Sequence, residues 1–315
     1  MNNILVLFNP SSAGGRSLKR LVKIKKKFEQ LKVPYNFHIT KSESDLREMA
    51  AKASRDNRDI VAVGGDTTLT FVAEEILRGE SLNRITLGMI GTGSVNDIVR
   101  GIGMDDVDRL IYGINNGLTK KIDVGMVRTG PEDKKYYFLG SIGVGLGTTV
   151  NKYVENWKSE KLMISKLKPA MEICGLIKGV RGSFSKRKVP INVLVEWENG
   201  KIERNITLMV FQNTPLYGRS LKLSPDASPY DNIIDCSIIT TRSLSNTVGL
   251  AVSVIRNKHL VRPELEILRS SEFNVSFTEE IDISIDGEII ENLKNFRISL
   301  LKSGLNIYHP KEISD

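Results

Sequence analysis

Residues 59–77 read DIVAVGGDTTLTFVAEEIL and carry the clearest structural signal in the chain. An apolar run ends in Gly64, Gly65 and Asp66, after which apolar residues recur at helical spacing. The pattern predicts a strand, a tight turn and a helix. Glycine lets a ligand approach the backbone closely, and the start of a helix directs unpaired amides and a positive dipole end at the turn. A phosphate group would fit there.

Asp66 lies between this strand and this helix. Its carboxylate could cap the helix, or it could hold a magnesium ion that bridges phosphate oxygens. The residues alone leave both interpretations open. A second turn, GTGSVND at 91–97, follows another apolar run in the same way, so the two turns could share one ligand. Strands that alternate with helices predict a doubly wound parallel sheet, whose ligands lie beyond the carboxyl ends of the strands.

The chain has 315 residues, which exceeds what one hydrophobic core usually supports, so we expect two domains. An α/β nucleotide-binding domain is predicted over residues 1–126. Strand patterns dominate residues 127–301 and predict an all-β, sandwich-like domain for the substrate, with a helical insertion at 150–180. Residues 302–315 are expected to return to the first domain.

The charge of the chain favours anionic partners. Its 45 Lys and Arg residues exceed its 37 Asp and Glu residues, for a net charge of +8. Ten basic and three acidic residues lie between Lys152 and Lys188, and this segment is expected to contact anionic phospholipid at a membrane surface. Nucleic-acid binding is not expected, since the segment has few aromatic residues and no recognised module surrounds it.

The chain shows no basic signal-peptide start and no run of about 18 apolar residues, so we expect no membrane span. Cys174 and Cys236 have neither metal-ligand spacing nor a pairing pattern, which predicts buried thiols in a reducing compartment. We expect a cytoplasmic protein that works at the inner face of the membrane. An exposed edge of the sandwich could pair two chains in a homodimer.

Six motifs in order give the chain a family resemblance. It resembles the diacylglycerol-kinase catalytic superfamily, in particular the bacterial soluble lipid kinases, whose first domain is shared with NAD kinases. The resemblance covers nearly the whole chain, and its motifs are GGDTT at 64–68, GMIGTGSVNDIVR at 88–100, IDVGMV at 122–127, FLGSIGVGLGTTV at 138–150, SPDASPYDNIIDCSII at 224–239 and IDGE at 285–288.

The resemblance implies a lipid kinase that uses ATP and Mg²⁺ to phosphorylate a hydroxyl of diacylglycerol or a related lipid. The nucleotide would lie in the cleft between the domains. The residues implied to contact it are Asn9, Thr40, Gly64, Gly65, Asp66, Thr67, Thr68, Ser94 and Asn96.

The resemblance also assigns roles to acidic residues. Glu288 would be the base that takes the proton from the lipid hydroxyl, and Asp66 would hold the catalytic magnesium. Asp123 would help to hold a magnesium and water network, and Asp231 with the carbonyl of Ile233 would hold a structural magnesium. The residues alone also allow a simpler interpretation of three of these motifs. IDGE could form an ordinary hairpin turn, and Asp123 and Asp231 could make only local hydrogen bonds.

The chain departs from the family pattern at the phosphate turn. Thr67 replaces the third glycine of GGDGT, and Thr70 and Phe71 replace an Asn-Glu pair. A β-branched residue tolerates positive φ poorly, so Thr67 could reshape the turn. The alternative is therefore a catalytically impaired relative that binds nucleotide or lipid. The missing Asn-Glu pair argues against an NAD kinase, in which that pair recognises the acceptor nucleoside.

Overall fold

The computed structural model describes residues 3–15, 17–79, 84–148, 189–218, 221–241 and 243–310. The predicted helical insertion, the basic segment between Lys152 and Lys188, and Cys174 lie outside these ranges. Cys236 is a buried free thiol, as predicted, and burial raises its pKa. None of the described helices combines the length and the apolar character that crossing a membrane requires.

The first domain is a doubly wound α/β unit, which confirms the predicted fold class. Its parallel strands lie in the order β2-β1-β3-β4, and the side chains of β1 and β3 are fully buried, as expected for strands covered on both faces. The elements are β1 (Ile4–Phe8), a 3-10 turn (Ser12–Gly15), α1 (Leu18–Phe28), β2 (Tyr35–Ile39), α2 (Glu43–Arg55), β3 (Ile60–Gly64), α3 (Asp66–Arg78), β4 (Thr86–Gly91), α4 (Asp97–Ile102) and α5 (Val107–Asn115).

The second domain is built from antiparallel strands, also as predicted. A separate apolar core fills it, in which Phe211 packs edge-on against Phe273 and Phe296. The elements are β5 (Thr119–Thr129), β6 (Lys134–Phe138), β7 (Ser141–Gly145), β8 (Ile191–Trp197), β9 (Gly200–Ile206), β10 (Leu208–Gln212), β11 (Ile234–Ile239), α6 (Leu244–Ile255), β12 (Leu265–Ser270), β13 (Glu272–Ile285) and β14 (Glu288–Tyr308).

The strand patterns of the second domain predict one strand over residues 202–211 and separate strands over 273–277 and 281–285, and the structure differs at both places. The apolar stretch 202–211 forms two strands, β9 and β10, because the chain changes partner at Thr207, whose amide donates to the Ile239 carbonyl at 2.8 Å. The stretches 273–277 and 281–285 instead form one strand, β13, in which register shifts interrupt the pairing with β14. A bulge hides the continuity of a strand from its sequence pattern.

The long strand β14 links the two domains. Its start pairs with β13 and its middle with β5, both antiparallel, and its end runs parallel to β4 through Asn306 and Ile307. The Tyr308 hydroxyl donates to the buried Asp59 carboxylate at 2.7 Å and secures that end. The residue that opens β14, Glu288, is thus on the same strand that completes the first sheet.

Candidate active site

The predicted nucleotide site lies at the topological switch point of the first sheet. Strands β1 and β3 are neighbours there, and the chain leaves them toward opposite edges of the sheet. Asn9 follows β1, and its amide Nδ2 donates to the Thr68 hydroxyl on α3 at 2.9 Å. Its backbone amide donates to the Val63 carbonyl at 2.9 Å. These bonds hold the crevice between the two loops in the position where doubly wound sheets bind ligands.

A cavity of about 200 Å³ opens at this crevice. Four residues predicted to contact nucleotide line it, namely Asn9, Thr40, Thr67 and Thr68. Phe71, one of the departures from the family pattern, lines the same cavity, and the Arg47 guanidinium stacks on its ring at 3.8 Å from the centroid. The cavity therefore combines polar side chains with an aromatic wall.

The two glycine turns are in direct contact. A Cβ atom at Gly93 would lie only 2.7 Å from the Cα of Gly65, so a side chain at Gly93 would collide with the first turn. The Thr92 amide donates to the Gly64 carbonyl at 2.7 Å. The structure thus brings together the turns that the sequence analysis paired. Ser94, on the second turn, is exposed to solvent.

Three buried polar atoms in the loops after β1 and β4 have no hydrogen-bond partner in the described part of the chain. They are the hydroxyls of Ser12 and Thr92 and the side-chain oxygen Oδ1 of Asn96. Asn96 has φ 60°, in the left-handed region, and its Nδ2 donates to the Gly93 carbonyl at 3.2 Å. Buried polar groups in proteins nearly always have partners. The loops around the crevice therefore retain capacity to bind a polar ligand.

The Asp66 carboxylate caps a different helix from the one that it begins. It accepts hydrogen bonds from the amides of Asp97 and Ile98, at the start of α4, at 3.2 and 3.1 Å. Burial raises the pKa of Asp66 to about 6, and the negative charges of Asp97 and Asp286 also raise it. The two hydrogen bonds from the backbone amides lower the pKa and only partly offset this effect. A positive ion beside Asp66 would relieve this cost.

The surroundings of Asp66 fit a magnesium ion that is bound together with a ligand. Across the described ranges, no group of three or more acidic, histidine or cysteine side chains forms a preassembled metal site. Magnesium commonly takes one or two carboxylates, with waters and substrate phosphates completing its coordination. Asp66 is a buried carboxylate with two acidic neighbours, and it directly precedes Thr67, which lines the cavity, so it meets that requirement.

A hairpin turn carries Glu288 to the same region. Asp286 and Gly287 have φ angles of 45° and 94°, as the two central residues of a type I′ turn require, and Ile285 pairs with Glu288 across them. Glu288 is half-buried. Burial raises its pKa, and the negative charge of Glu74 adds to the effect, while Arg47 opposes it. A carboxylate in these surroundings is suited to accept a proton.

The role of Asp286 in this turn was not anticipated from the sequence. Its carboxylate is buried and accepts hydrogen bonds from four donor groups. The donors are the amides of Leu139 and Ser141, both at 2.7 Å, the amide of Gly140 at 3.0 Å, and the Thr70 hydroxyl at 2.8 Å. These partners are more than 140 residues distant in sequence, so no local pattern could reveal them. Burial raises the pKa of Asp286, and the hydrogen bonds act in the opposite direction.

Asp123, Asp231 and Ile233 lie together, apart from the residues that line the cavity. The buried Asp123 carboxylate accepts from the amides of Ser303 at 2.7 Å and Asn232 at 2.8 Å. Asp231 accepts from the Ile233 amide at 3.1 Å and from Arg269 at 3.2 Å. These side chains already have protein partners, and Arg269 supplies a positive charge, so their magnesium role stays a prediction.

Comparison with protein families gives matches to both domains. Residues 3–127 match the family described as the diacylglycerol kinase catalytic domain. Residues 140–303 match the family described as the YegS C-terminal NAD kinase beta sandwich-like domain. The second match alone covers more than half of the chain.

Two sequence relatives agree with these domain matches. A diacylglycerol kinase from Bacillus subtilis is 27% identical over 99% of this chain and 98% of its own length. One from Staphylococcus carnosus is 23% identical over 98% of this chain and 96% of its own.

The structural relatives share the fold at low sequence identity. A diacylglycerol kinase structure from Bacillus anthracis has a TM-score of 0.66 and 15% identity, with coverage of 98% of this chain and 97% of that one. An NAD kinase from Archaeoglobus fulgidus, solved in complex with ATP, has a TM-score of 0.54 and 12% identity over 98% and 94% of the two chains. With its two matched domains in this order, the chain belongs to the diacylglycerol kinase catalytic-domain family, with a C-terminal domain of the NAD kinase β-sandwich type.

Proposed function

We propose that the protein is a lipid kinase that uses ATP and magnesium to phosphorylate a hydroxyl group of diacylglycerol or a related lipid. One observation carries the proposal. The turn that holds Glu288 is hydrogen-bonded to the start of α3, where the Thr67 hydroxyl donates to the Asp286 carbonyl at 3.2 Å. The turn that carries the proposed base and the helix that borders the cavity are therefore directly connected. The names of the sequence relatives support a lipid acceptor.

The residues at the site suit this chemistry. Phosphoryl transfer needs mainly positioning and charge neutralisation, and no nucleophilic side chain. The amides at the start of α3 and the glycine turns would hold the phosphates of ATP, and Asn9, Thr40 and Thr68 would contact the nucleotide beside them. Magnesium held by Asp66 would neutralise phosphate charge. Glu288 would take the proton from the lipid hydroxyl as that oxygen bonds to the γ-phosphorus, while the bond from this phosphorus to the β,γ-bridging oxygen breaks and ADP leaves.

The catalytically impaired alternative rested on the backbone at Thr67. Thr67 is the second residue of α3, and it is not among the residues with positive φ. The turn therefore does not demand from Thr67 the conformation that a β-branched residue avoids. This geometry favours an active enzyme over a binding relative.

Transfer of labelled γ-phosphate tests the proposal. We expect the purified chain, with ATP and magnesium, to phosphorylate diacylglycerol or another lipid alcohol presented in mixed micelles. Omission of magnesium should abolish the product. A chain that binds ATP at micromolar concentration but phosphorylates none of diacylglycerol, monoacylglycerol, glycolipid and sphingoid base would contradict the proposal and favour the binding relative.

Because burial raises the pKa of Asp66, we expect binding of magnesium–ATP to depend on pH. The carboxylate must lose its proton to hold magnesium, so affinity should fall as pH decreases through about 6. We expect titration calorimetry to show roughly tenfold weaker binding at pH 5 than at pH 7, with proton release on binding near pH 6. In the Asp66→Asn variant the affinity should be low and should change much less between these pH values. An unchanged pH profile in this variant would contradict the role of Asp66.

We also propose that the protein works at the inner face of the membrane, in contact with anionic phospholipid. Helix α6 supports this contact, because Val248, Val252 and Ile255 on it are 54%, 40% and 68% exposed. Arg256 and Lys258 lie directly after the end of this helix, are both exposed, and would attract an anionic surface.

The full chain should sediment with vesicles that contain anionic lipid, and Val252→Glu should weaken sedimentation severalfold. The exposed Tyr112, on α5, offers a control in Tyr112→Glu.

A further inference from the structure

Two residues that depart from the family pattern contact the same partner. Thr67 replaces a glycine and Thr70 replaces an asparagine, and they lie three positions apart on one face of α3. The Thr67 hydroxyl donates to the Asp286 carbonyl oxygen at 3.2 Å, and the Thr70 hydroxyl donates to the Asp286 carboxylate at 2.8 Å. A glycine at 67 could make no such bond, because it has no side chain.

The shared partner belongs to the turn that positions Glu288. Asp286 is fixed on its other side by the amides of residues 139–141, so α3, the turn and the start of β7 meet at one carboxylate. Thr70 and Asp286 are both buried, which protects their hydrogen bond from competition with water. A Cβ atom at Gly287 would lie 3.3 Å from the Thr67 hydroxyl, so the turn packs closely against α3.

We propose that Thr67 and Thr70 form a latch that holds the Glu288 turn against the helix of the phosphate site. They are positioning residues, and the inference rests on the proposed kinase function. Both departures contribute a hydroxyl to the same contact. The latch fixes the distance between the base and the nucleotide phosphates, so it should influence turnover more than ATP binding.

Removal of each hydroxyl at constant shape tests the latch. Thr70→Val and Thr67→Val should each lower kcat by about tenfold, while KM for ATP changes less than about threefold. The double variant should lose less than the product of the two single losses, because both act on one turn. Thr70→Ser and Thr67→Ser keep the hydroxyl and should restore turnover to near that of the parent.

Thr129→Val is the matched control. The Thr129 hydroxyl is also buried and also donates to a distant backbone carbonyl, that of Asn295 at 2.9 Å. It is outside the site, so its removal should lower the melting temperature but leave kcat unchanged. Equal losses of kcat in Thr129→Val and Thr70→Val would show that general destabilisation explains the effect and would overturn the latch.

Amide hydrogen exchange separates failure of the latch from failure of the kinase proposal. In Thr67→Val and Thr70→Val, the amides of Gly287 and Glu288 should exchange faster than in the parent, while those around Thr129 should not. This result would support the latch even if no lipid were phosphorylated. Unchanged exchange at the turn, together with kcat within about twofold of the parent, would refute it. An inactive parent would refute only the proposed function.

Discussion

Glu288→Gln should lower kcat for lipid phosphorylation by about 10² to 10⁴, since general-base catalysis contributes on that order. Glutamine keeps the size of the side chain but cannot accept the proton of the lipid hydroxyl. Burial raises the pKa of Glu288. As the pH is lowered, the rate of the parent should therefore begin to fall at a higher pH than it would with an ordinary glutamate as the base. Rates at saturating ATP between pH 5 and pH 8 measure both effects.

The same substitution should not destabilise the fold. A glutamate whose pKa is raised on folding binds its proton more tightly in the native state, so its contribution to stability declines as pH rises through the folded-state pKa. At neutral pH, Glu288→Gln removes a charge that burial disfavours, and its melting temperature should equal or exceed that of the parent. The exposed Glu291, on the same strand, provides the control, and Glu291→Gln should retain full activity. Full activity in Glu288→Gln would rule out its role as base.

Asp286→Ala should cause the largest loss of stability among these variants. The substitution leaves three amides and the Thr70 hydroxyl without their acceptor in a buried position. An unsatisfied buried donor costs about 1–3 kcal/mol, and relaxation should limit the total to about 4 kcal/mol. Denaturant unfolding measures this change. Turnover should fall as well, since the turn that carries Glu288 loses its anchor.

Asp133→Ala controls for the backbone conformation. Asp133 has a φ of 49° and Asp286 has a φ of 45°, so alanine at either position would adopt a left-handed conformation. The Asp133 carboxylate, however, makes only an exposed ion pair with Arg128 among the described contacts, at 3.2 Å. Such a pair contributes about 0–1 kcal/mol. A similar loss of stability in the two variants would attribute the effect to backbone strain and not to the buried hydrogen bonds.

The departures at Thr67 and Thr70 change meaning once their contacts are known. Read along the chain, each weakens the match to an active kinase. In the folded protein they face the same carboxyl residue, Asp286, and they join the two halves of the site. In the structure, both departures therefore stabilise the contact between α3 and the Asp286 turn.

The sequence by itself determined the elements of the first domain and the place of its ligand site. Short apolar runs followed by glycine turns and helical periodicity are local signals, because the residues that specify a strand or helix lie within one window of the chain. The same signals place residues 64–68 and 91–97 at the carboxyl ends of parallel strands. The family resemblance adds Asn9, Thr67 and Thr68 as expected nucleotide contacts, and these three residues line the cavity at that edge of the sheet.

Only the tertiary structure decided what the acidic residues contact. Asp66 caps α4 across 31 residues, Asp286 is held by amides at 139–141, and β14 pairs with β4 across more than 200 residues. A hydrogen bond between distant segments depends on how the whole chain packs, and neither partner carries a mark of the other in its own neighbourhood. Local sequence patterns therefore indicated the position of the candidate ligand site, while packing determined how the turn that carries Glu288 is held.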